Sequence, residues 1–257
     1  WGLHPWAAYC VLGLAMAYFQ FRRGKPGLVS SVFYPLLGEK GVKGPVGKII
    51  DILAVFATAA GIATSLGLGA MQINSGLNLV FGVPKNNLVV FIIVAVITVI
   101  YIWTALAGVD KGIKLVCDTN IIIAGCLMVV CLIIGPTVDI LRNLLEGVGQ
   151  YVMTFPGSAM EMGAFSENPS WYGTWTVFYW AWWIAWAPFT GGFIARISKG
   201  RTIQEFIPGV LLLPAGASFI WFAIFGTMGI NVGNQVGLEA VKEMVADTST
   251  TLFLVLQ

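Results

Sequence analysis

The sequence predicts an all-α integral membrane protein, and three observations predict it. Of its 257 residues, 58% are hydrophobic and only 10% are charged, whereas a soluble domain carries about 25% charged residues. The apolar residues gather in six long continuous runs, without the ten-residue alternation of barrel strands. The 14 Lys and Arg residues sort strongly to one side of those runs. This composition excludes a cytosolic enzyme, a disordered regulator and a nucleic-acid binder, and a net charge of +2 leaves no basic face for phosphates. With one His (His4) and no Cys/His cluster, no metal site and no cofactor are expected. Cys10, Cys117, Cys126 and Cys131 lie in or beside apolar runs and read as small buried hydrophobes.

A helix needs about 20 apolar residues to cross a hydrocarbon core of roughly 30 Å. The runs at about 3–21, 49–73, 88–108, 116–135, 174–195 and 206–229 qualify. Eleven basic residues (Arg22, Arg23, Lys25, Lys40, Lys43, Lys48, Lys111, Lys114, Arg196, Lys199, Arg201) fall on one side, and only Lys85, Arg142 and Lys242 on the other. The positive-inside rule makes the first side cytoplasmic and places both chain ends outside. With no starting Met and an apolar run broken off at Gln257, the chain reads as an internal fragment of a longer, transporter-sized protein.

Two connections carry structure of their own. Over about 138–152, Val138, Leu141, Leu144, Leu145, Val148 and Val152 recur at helical spacing, with Asp139, Arg142, Asn143, Glu146 and Gln150 opposite. That is an amphipathic helix on the outer side, with two readings: lying in the interface, or contacting another subunit. Residues 156–172, rich in Gly, Pro, Ser and Glu, read as an outer loop.

Catalytic motifs are missing: no HExxH, no G-x-S-x-G and no Cys–His pair. Asp51 is the deepest acid and reads as interfacial, so no enzyme is expected.

The chemistry lies in the aromatic residues. Six of the ten tryptophans fall between 171 and 186: Trp171, Trp175, Trp180, Trp182, Trp183 and Trp186. Interfacial belts explain Trp171 and Trp175. Trp182, Trp183 and Trp186 lie about 12–18 Å into the fifth span, at the bilayer middle. At about 100° per residue from Trp182, the residues Phe178, Trp175, Trp186, Tyr179 and Trp183 fall within an arc of about 140°, and Trp180 falls at about 160°. Such a face is either core packing or a set of negative ring faces for a cation. Pro188, which frees the carbonyl of Ile184, and Gly191-Gly192, which permit unwinding, favour a binding site in an interrupted helix. In the first span, one face can carry Trp1, Trp6 and Tyr9, and spacing alone makes them an interfacial belt. In the second span, Ala57, Gly61, Ser65 and Gly69 form a ridge of small residues suited to close helix approach, with Thr58 one position off it.

The run Trp175-Thr176-Val177-Phe178-Tyr179-Trp180-Ala181-Trp182-Trp183, followed by Ile184-Ala185-Trp186-Ala187-Pro188-Phe189 and Ala195-Arg196-Ile197-Ser198-Lys199-Gly200-Arg201-Thr202, resembles the betaine/carnitine/choline transporter family. Trp1-Gly2-Leu3-His4-Pro5-Trp6-Ala7-Ala8-Tyr9, Thr64-Ser65-Leu66-Gly67-Leu68-Gly69 and Gly108-Val109-Asp110-Lys111-Gly112 support it. The resemblance implies a twelve-span carrier with a LeuT-like five-plus-five inverted repeat, of which this chain is a six-span fragment covering the fourth to ninth spans. It implies an aromatic box of Trp1, Trp6, Tyr9 and Trp183 around a quaternary ammonium, with Trp182 and Trp186 beside it, in place of the interfacial belt. It also implies a homotrimer in contact with membrane lipids in a bacterial inner membrane, with the amphipathic helix at the contact.

Sodium-coupled members pair two hydroxyls four residues apart on the second core span, near the Phe after the box. Thr58 and Phe189 match, but the second hydroxyl position is Ile62. Sodium is the expected coupling ion, with proton coupling or exchange as alternatives. The function expected is alternating-access transport of glycine betaine, choline or carnitine in osmoprotection. The rivals are a carrier of the same fold for amino acids or other cations, and an osmosensing channel-like protein.

Overall fold

The computed structural model describes residues 2–108, 112 and 114–256, and among them every regular element is a helix. Helix α1 (Leu3–Ala17) closes in a π-helical turn at Tyr18–Arg22. A 3-10 turn (Val29–Phe33) and α2 (Tyr34–Lys43) lead into α3 (Pro45–Phe81). There follow α4 (Asn87–Leu106), α5 (Lys114–Ile134) and α6 (Thr137–Met160). The short α7 (Pro169–Tyr172) and a π-helical turn (Gly173–Val177) open α8 (Phe178–Ile197). Then come α9 (Ile203–Val236), α10 (Leu238–Ala246) and α11 (Thr251–Leu256).

Local chemistry explains several boundaries. At α4, the Asn86 side chain accepts from the Val89 amide at 2.9 Å, the usual side-chain cap for an unpaired first-turn donor. At α9, Thr202 and Glu205 form a reciprocal capping box: the Glu205 amide donates to Thr202 Oγ1 (3.3 Å), and the Thr202 amide donates to Glu205 Oε2 (2.9 Å). That box starts the helix at 203, three residues before the expected span.

By length and composition, α3, α4, α5 and α9 are long and apolar enough to cross a membrane. The two helices that carry the aromatic residues are not among them. As an α-helix α1 has only 15 residues, and the rings, glycines and threonine of α8 make it less apolar than an aliphatic helix. Large side chains such as Ile52, Phe56, Phe91 and Ile122 are 64–71% exposed. Such exposure is a liability in water and costs nothing against lipid.

The chain forms two compact units, the first of residues up to Ala63 with Gln150–Phe219, the second of Thr64–Gly149 with residues from Ile220 onward. In the first, α1 packs along α8. A Cβ on Gly13 would lie 3.1 Å from the Gly191 carbonyl oxygen, so this approach needs glycine at both positions. The core there is Tyr9, Cys10, Trp183, Ala187, Ile194 and Phe206. Asp51 ties the loop after α1 to the start of α3: its Oδ1 accepts from the Ser30 amide (2.9 Å) and its Oδ2 from Ser30 Oγ (2.7 Å). The acid is thus a structural pin for a serine that is only 1% exposed.

In the second unit, Cys131, Ile140, Ile224 and Phe225 form the core, and Asn143 of α6 donates to Thr227 of α9 at 2.9 Å. Asp247 accepts from Ser249 and pairs with Lys85 at 3.1 Å. These partners, Ser249 first, hold its carboxyl below the usual carboxylate range.

Three expectations change. The segment 156–172 is not all loop, because α6 runs through Pro156 to Met160. Its half-buried stripe of Tyr151, Phe155 and Ala159 continues past the proline, and that packing outweighs the lost amide donor. Helix α8 does not unwind at Pro188, Gly191 or Gly192. Gly191 serves the close approach to α1 instead. Cys117 and Cys126 are exposed rather than buried, because they lie on the outer surface of α5.

Candidate functional site

Two helices build the site. On α1, Trp6 and Tyr9 are three residues apart and share a face. On α8, Trp183 projects toward them. The ring centroids of Trp6 and Trp183 are 5.4 Å apart at an interplanar angle of 77°, and those of Trp6 and Tyr9 are 5.5 Å apart at 84°. Tyr9 and Trp183 close the triangle at 4.9 Å. Edge-to-face pairs of this kind add about 0.5–1.5 kcal/mol each beyond area burial. The Tyr9 phenol is hydrogen-bonded to the Thr190 side chain, about two turns beyond Trp183 on α8.

Rings this close leave no room between them for a cation, which sits up to about 6 Å from each ring centroid it contacts. Trp183, however, has a second side. Together with Trp175, Tyr179 and Trp180 of the α8 segment and Tyr151 and Phe155 of α6, it lines a cleft of about 340 Å³. That volume lies at the lower end of the range for small-molecule sites.

The other expected residues separate. Trp182 lies against Phe178 (5.7 Å) and Tyr179 (5.8 Å), outside the triad. Trp186 meets Phe189 at 5.7 Å and faces Gly61 of α3, where a Cβ would lie 3.1 Å from its Nε1. Gly61 therefore accommodates a ring rather than a neighbouring helix backbone, and a Cβ on Gly69 would meet nothing within 4 Å. The small-residue ridge is in close contact only at this one glycine among the two. Trp1 lies outside the described residues, as do Val109, Asp110 and Lys111.

The single arc of six aromatics is thus divided. The π-helical turn at Gly173–Val177 shifts Trp175 out of the phase that a straight α-helix assigns it. Trp175 stacks on Tyr179 at 5.5 Å and 12° in the cleft wall. Trp180 does point away from the triad, but it is not idle: its ring meets His4 at 5.4 Å.

Thr58 donates its hydroxyl hydrogen to the Ala54 carbonyl at 2.8 Å, leaving its oxygen lone pairs as acceptors. The Trp186 ring, which touches both Gly61 and Phe189, brings the helices of Thr58 and Phe189 together. Ile62 is 43% exposed. Among the described residues no group of three His, Cys, Asp or Glu side chains could hold a metal ion.

Sequence reasoning passed over Tyr151 and Thr190. Tyr151 sits among charged and aliphatic residues in the amphipathic pattern, and Thr190 is one hydroxyl in an apolar helix. Neither carries a spacing signal.

Comparison with known proteins bears on all of this. A family profile described as BCCT, betaine/carnitine/choline family transporter, matches residues 1–257. The chain is 46% identical over 254 residues to the glycine betaine transporter OpuD of Bacillus subtilis, covering 98% of this chain and 49% of that protein. It is 47% identical over 257 residues to a probable glycine betaine transporter of Desulfitobacterium hafniense, covering 100% and 51%. A glycine betaine/proline/choline transporter of Vibrio parahaemolyticus is 44% identical over 241 residues, covering 94% and 43%. The chain spans about half the length of these curated relatives.

Proposed function

The chain belongs to the betaine/carnitine/choline transporter family, a family of multi-pass membrane transporters rather than enzymes, and from that premise we propose that it is part of a secondary carrier for quaternary ammonium compounds. In this reading the whole protein has twelve spans in a LeuT-like five-plus-five inverted repeat, with this chain supplying the fourth to the ninth. It works as a homotrimer among the lipids of a bacterial inner membrane and takes up glycine betaine, choline or carnitine by alternating access.

The observation that carries the reading is the convergence of Trp6, Tyr9 and Trp183 from two helices, with Trp183 also bordering a cleft. A trimethylammonium group is permanently charged and has no N–H to donate. Ring faces suit it better than carboxylates, which these helices lack. Each desolvated ring contributes about 0.5–2 kcal/mol. Three rings therefore supply several of the about 8 kcal/mol that micromolar binding requires. Trp1 completes the box, and Trp182 and Trp186 flank it. Because the rings touch one another, ligand entry parts them, and their closing over the cation is one step of the alternating-access cycle. Thr58 and Phe189 mark the sodium site. The relatives' names support a betaine-type substrate, and the Vibrio relative's name, which adds proline and choline, favours tolerance of a second class of zwitterion.

The test is binding of glycine betaine to purified full-length protein, read by tryptophan fluorescence and normalised to folded material. Trp183→Leu is expected to weaken binding by about 1–2 kcal/mol, and Trp183→Phe by less, because a weaker ring face remains. Trp103→Leu on α4, an exposed ring of equal size that lines neither the triad nor the cleft, leaves affinity within about twofold of wild type. Equal affinities for wild type and Trp183→Leu would remove the aromatic box from the mechanism.

A further inference from the structure

Helix α1 has an unusual beginning. It begins at Leu3, and Pro5, its third residue, has no amide hydrogen of its own. The Leu3 amide is then an unpaired first-turn donor. The residue in the capping position is Gly2, which has no side chain to accept from it. The acceptor comes from another helix: the Leu3 amide donates to the Tyr151 phenol oxygen at 2.7 Å.

Tyr151 is held firmly for this task. Its ring stacks on Phe155 of α6 (5.3 Å, 19°) and packs against Phe219 of α9 at 4.9 Å. It lies so close to Gly2 that a Cβ there would collide with the ring. From the capped amide, Trp6 is three residues on and Tyr9 six, so the cap lies one turn above the aromatic triad. Tyr151 also lines the cleft that Trp183 borders.

We propose that Tyr151 is a positioning residue for the Trp6–Tyr9–Trp183 cluster. Its hydroxyl caps α1 from the amphipathic helix and so sets the height and rotation at which α1 presents Trp6 and Tyr9 to Trp183. The ligand side of this proposal rests on the carrier reading above. The hydroxyl, not the ring, is the working part, since phenylalanine would keep both ring contacts.

The experiment compares wild type and Tyr151→Phe in the full-length protein. Amide hydrogen exchange over residues 3–7 is expected to rise about tenfold, the effect of losing one hydrogen bond, with α8 unchanged. Dissociation constants for tetramethylammonium and glycine betaine rise about three- to tenfold. In a Trp6→Leu, Tyr9→Leu background the same change adds less than about twofold, because the rings it positions are gone. A purely structural tyrosine would instead lower the melting temperature equally in both backgrounds and leave affinity alone. Unchanged exchange at residues 3–7 overturns the cap, and raised exchange with unchanged affinity overturns the positioning role. Wild type that binds neither ligand sinks the carrier reading and the ligand half of this proposal, while the exchange measurement still decides the cap. If Tyr151→Phe does not fold, 3,5-difluorotyrosine at 151, measured at a pH low enough to keep its more acidic phenol protonated, weakens the oxygen as an acceptor without removing it, and the same outcomes apply.

Discussion

Thr58 shows how a single side chain can serve either packing or ion binding. Its hydroxyl hydrogen is committed to Ala54, as a helix-interior threonine's commonly is, yet its oxygen can still coordinate a cation. If sodium binds there, Thr58→Val raises the sodium concentration for half-maximal uptake by roughly fivefold, taking about 1 kcal/mol for the lost polar contact. Uptake measured against sodium in proteoliposomes checks this, and an unchanged dependence leaves Thr58 as a packing residue. Legibility at this scale was uneven. The tryptophan run set Trp182, Trp183 and Trp186 apart together, because rings at mid-membrane depth do not fit an interfacial belt, and only the family resemblance singled out Trp183 among them. Trp6 and Tyr9 did not stand out by spacing, since a residue near a span end is ordinarily interfacial, and only the family resemblance drew them to Trp183. Tyr151 was illegible because its role depends on where another helix starts.

Helices were the most legible level, because long apolar runs in a chain with so few charges leave few alternatives. Each expected run coincides with a helix within a few residues, apart from α3, which extends to Pro45 and Phe81, and α9, which extends to Val236. Phase and continuity were harder to read. The π-helical turn before α8 changes the register of Trp175, and no residue in Gly173–Val177 announces it. Gly191 was read as a point of unwinding, whereas it faces Gly13 across a close helix contact. That contact gives an element-scale prediction. Gly13→Ala places a methyl 3.1 Å from the Gly191 carbonyl, a backbone atom that cannot move aside. It is expected to force α1 from α8, destabilise the protein by about 1–3 kcal/mol as overpacked cores do, and weaken ligand binding. Gly192→Ala is the control, since its Cβ would meet the flexible end of Met16 at 3.4 Å. Thermal denaturation of the two variants side by side distinguishes them, and equal stability would show that the glycine contact carries no load.

At the scale of the whole molecule, charge is the informative quantity. Eleven of the 14 basic residues fall in connections expected to face the cytoplasm, and the membrane potential and the insertion machinery both favour that sorting. The amphipathic helix α6 supplies a second sign of orientation. Its inner stripe, including Ile140 at 1% exposure, packs on the protein, while Val138, Leu141, Leu145 and Val152 are 50–76% exposed along another line. A helix with two apolar stripes suits a boundary between protein and either lipid or a second copy. The topology can be tested directly. In a background without Cys117 and Cys126, the two exposed native cysteines, single cysteines at Lys43 or Val46 should react with an impermeant maleimide only from the cytoplasmic side. Cysteines at Ala164 or Glu167, also exposed, should react only from outside. The expected contrast is near-complete labelling on one side and background on the other, because the hydrocarbon core blocks a charged reagent. Labelling of both pairs from the same side would require an even number of crossings between residues 46 and 164, where this topology has three, α3, α4 and α5; it would remove one of them and reverse the placement of α8, and with it the side from which a ligand reaches Trp183.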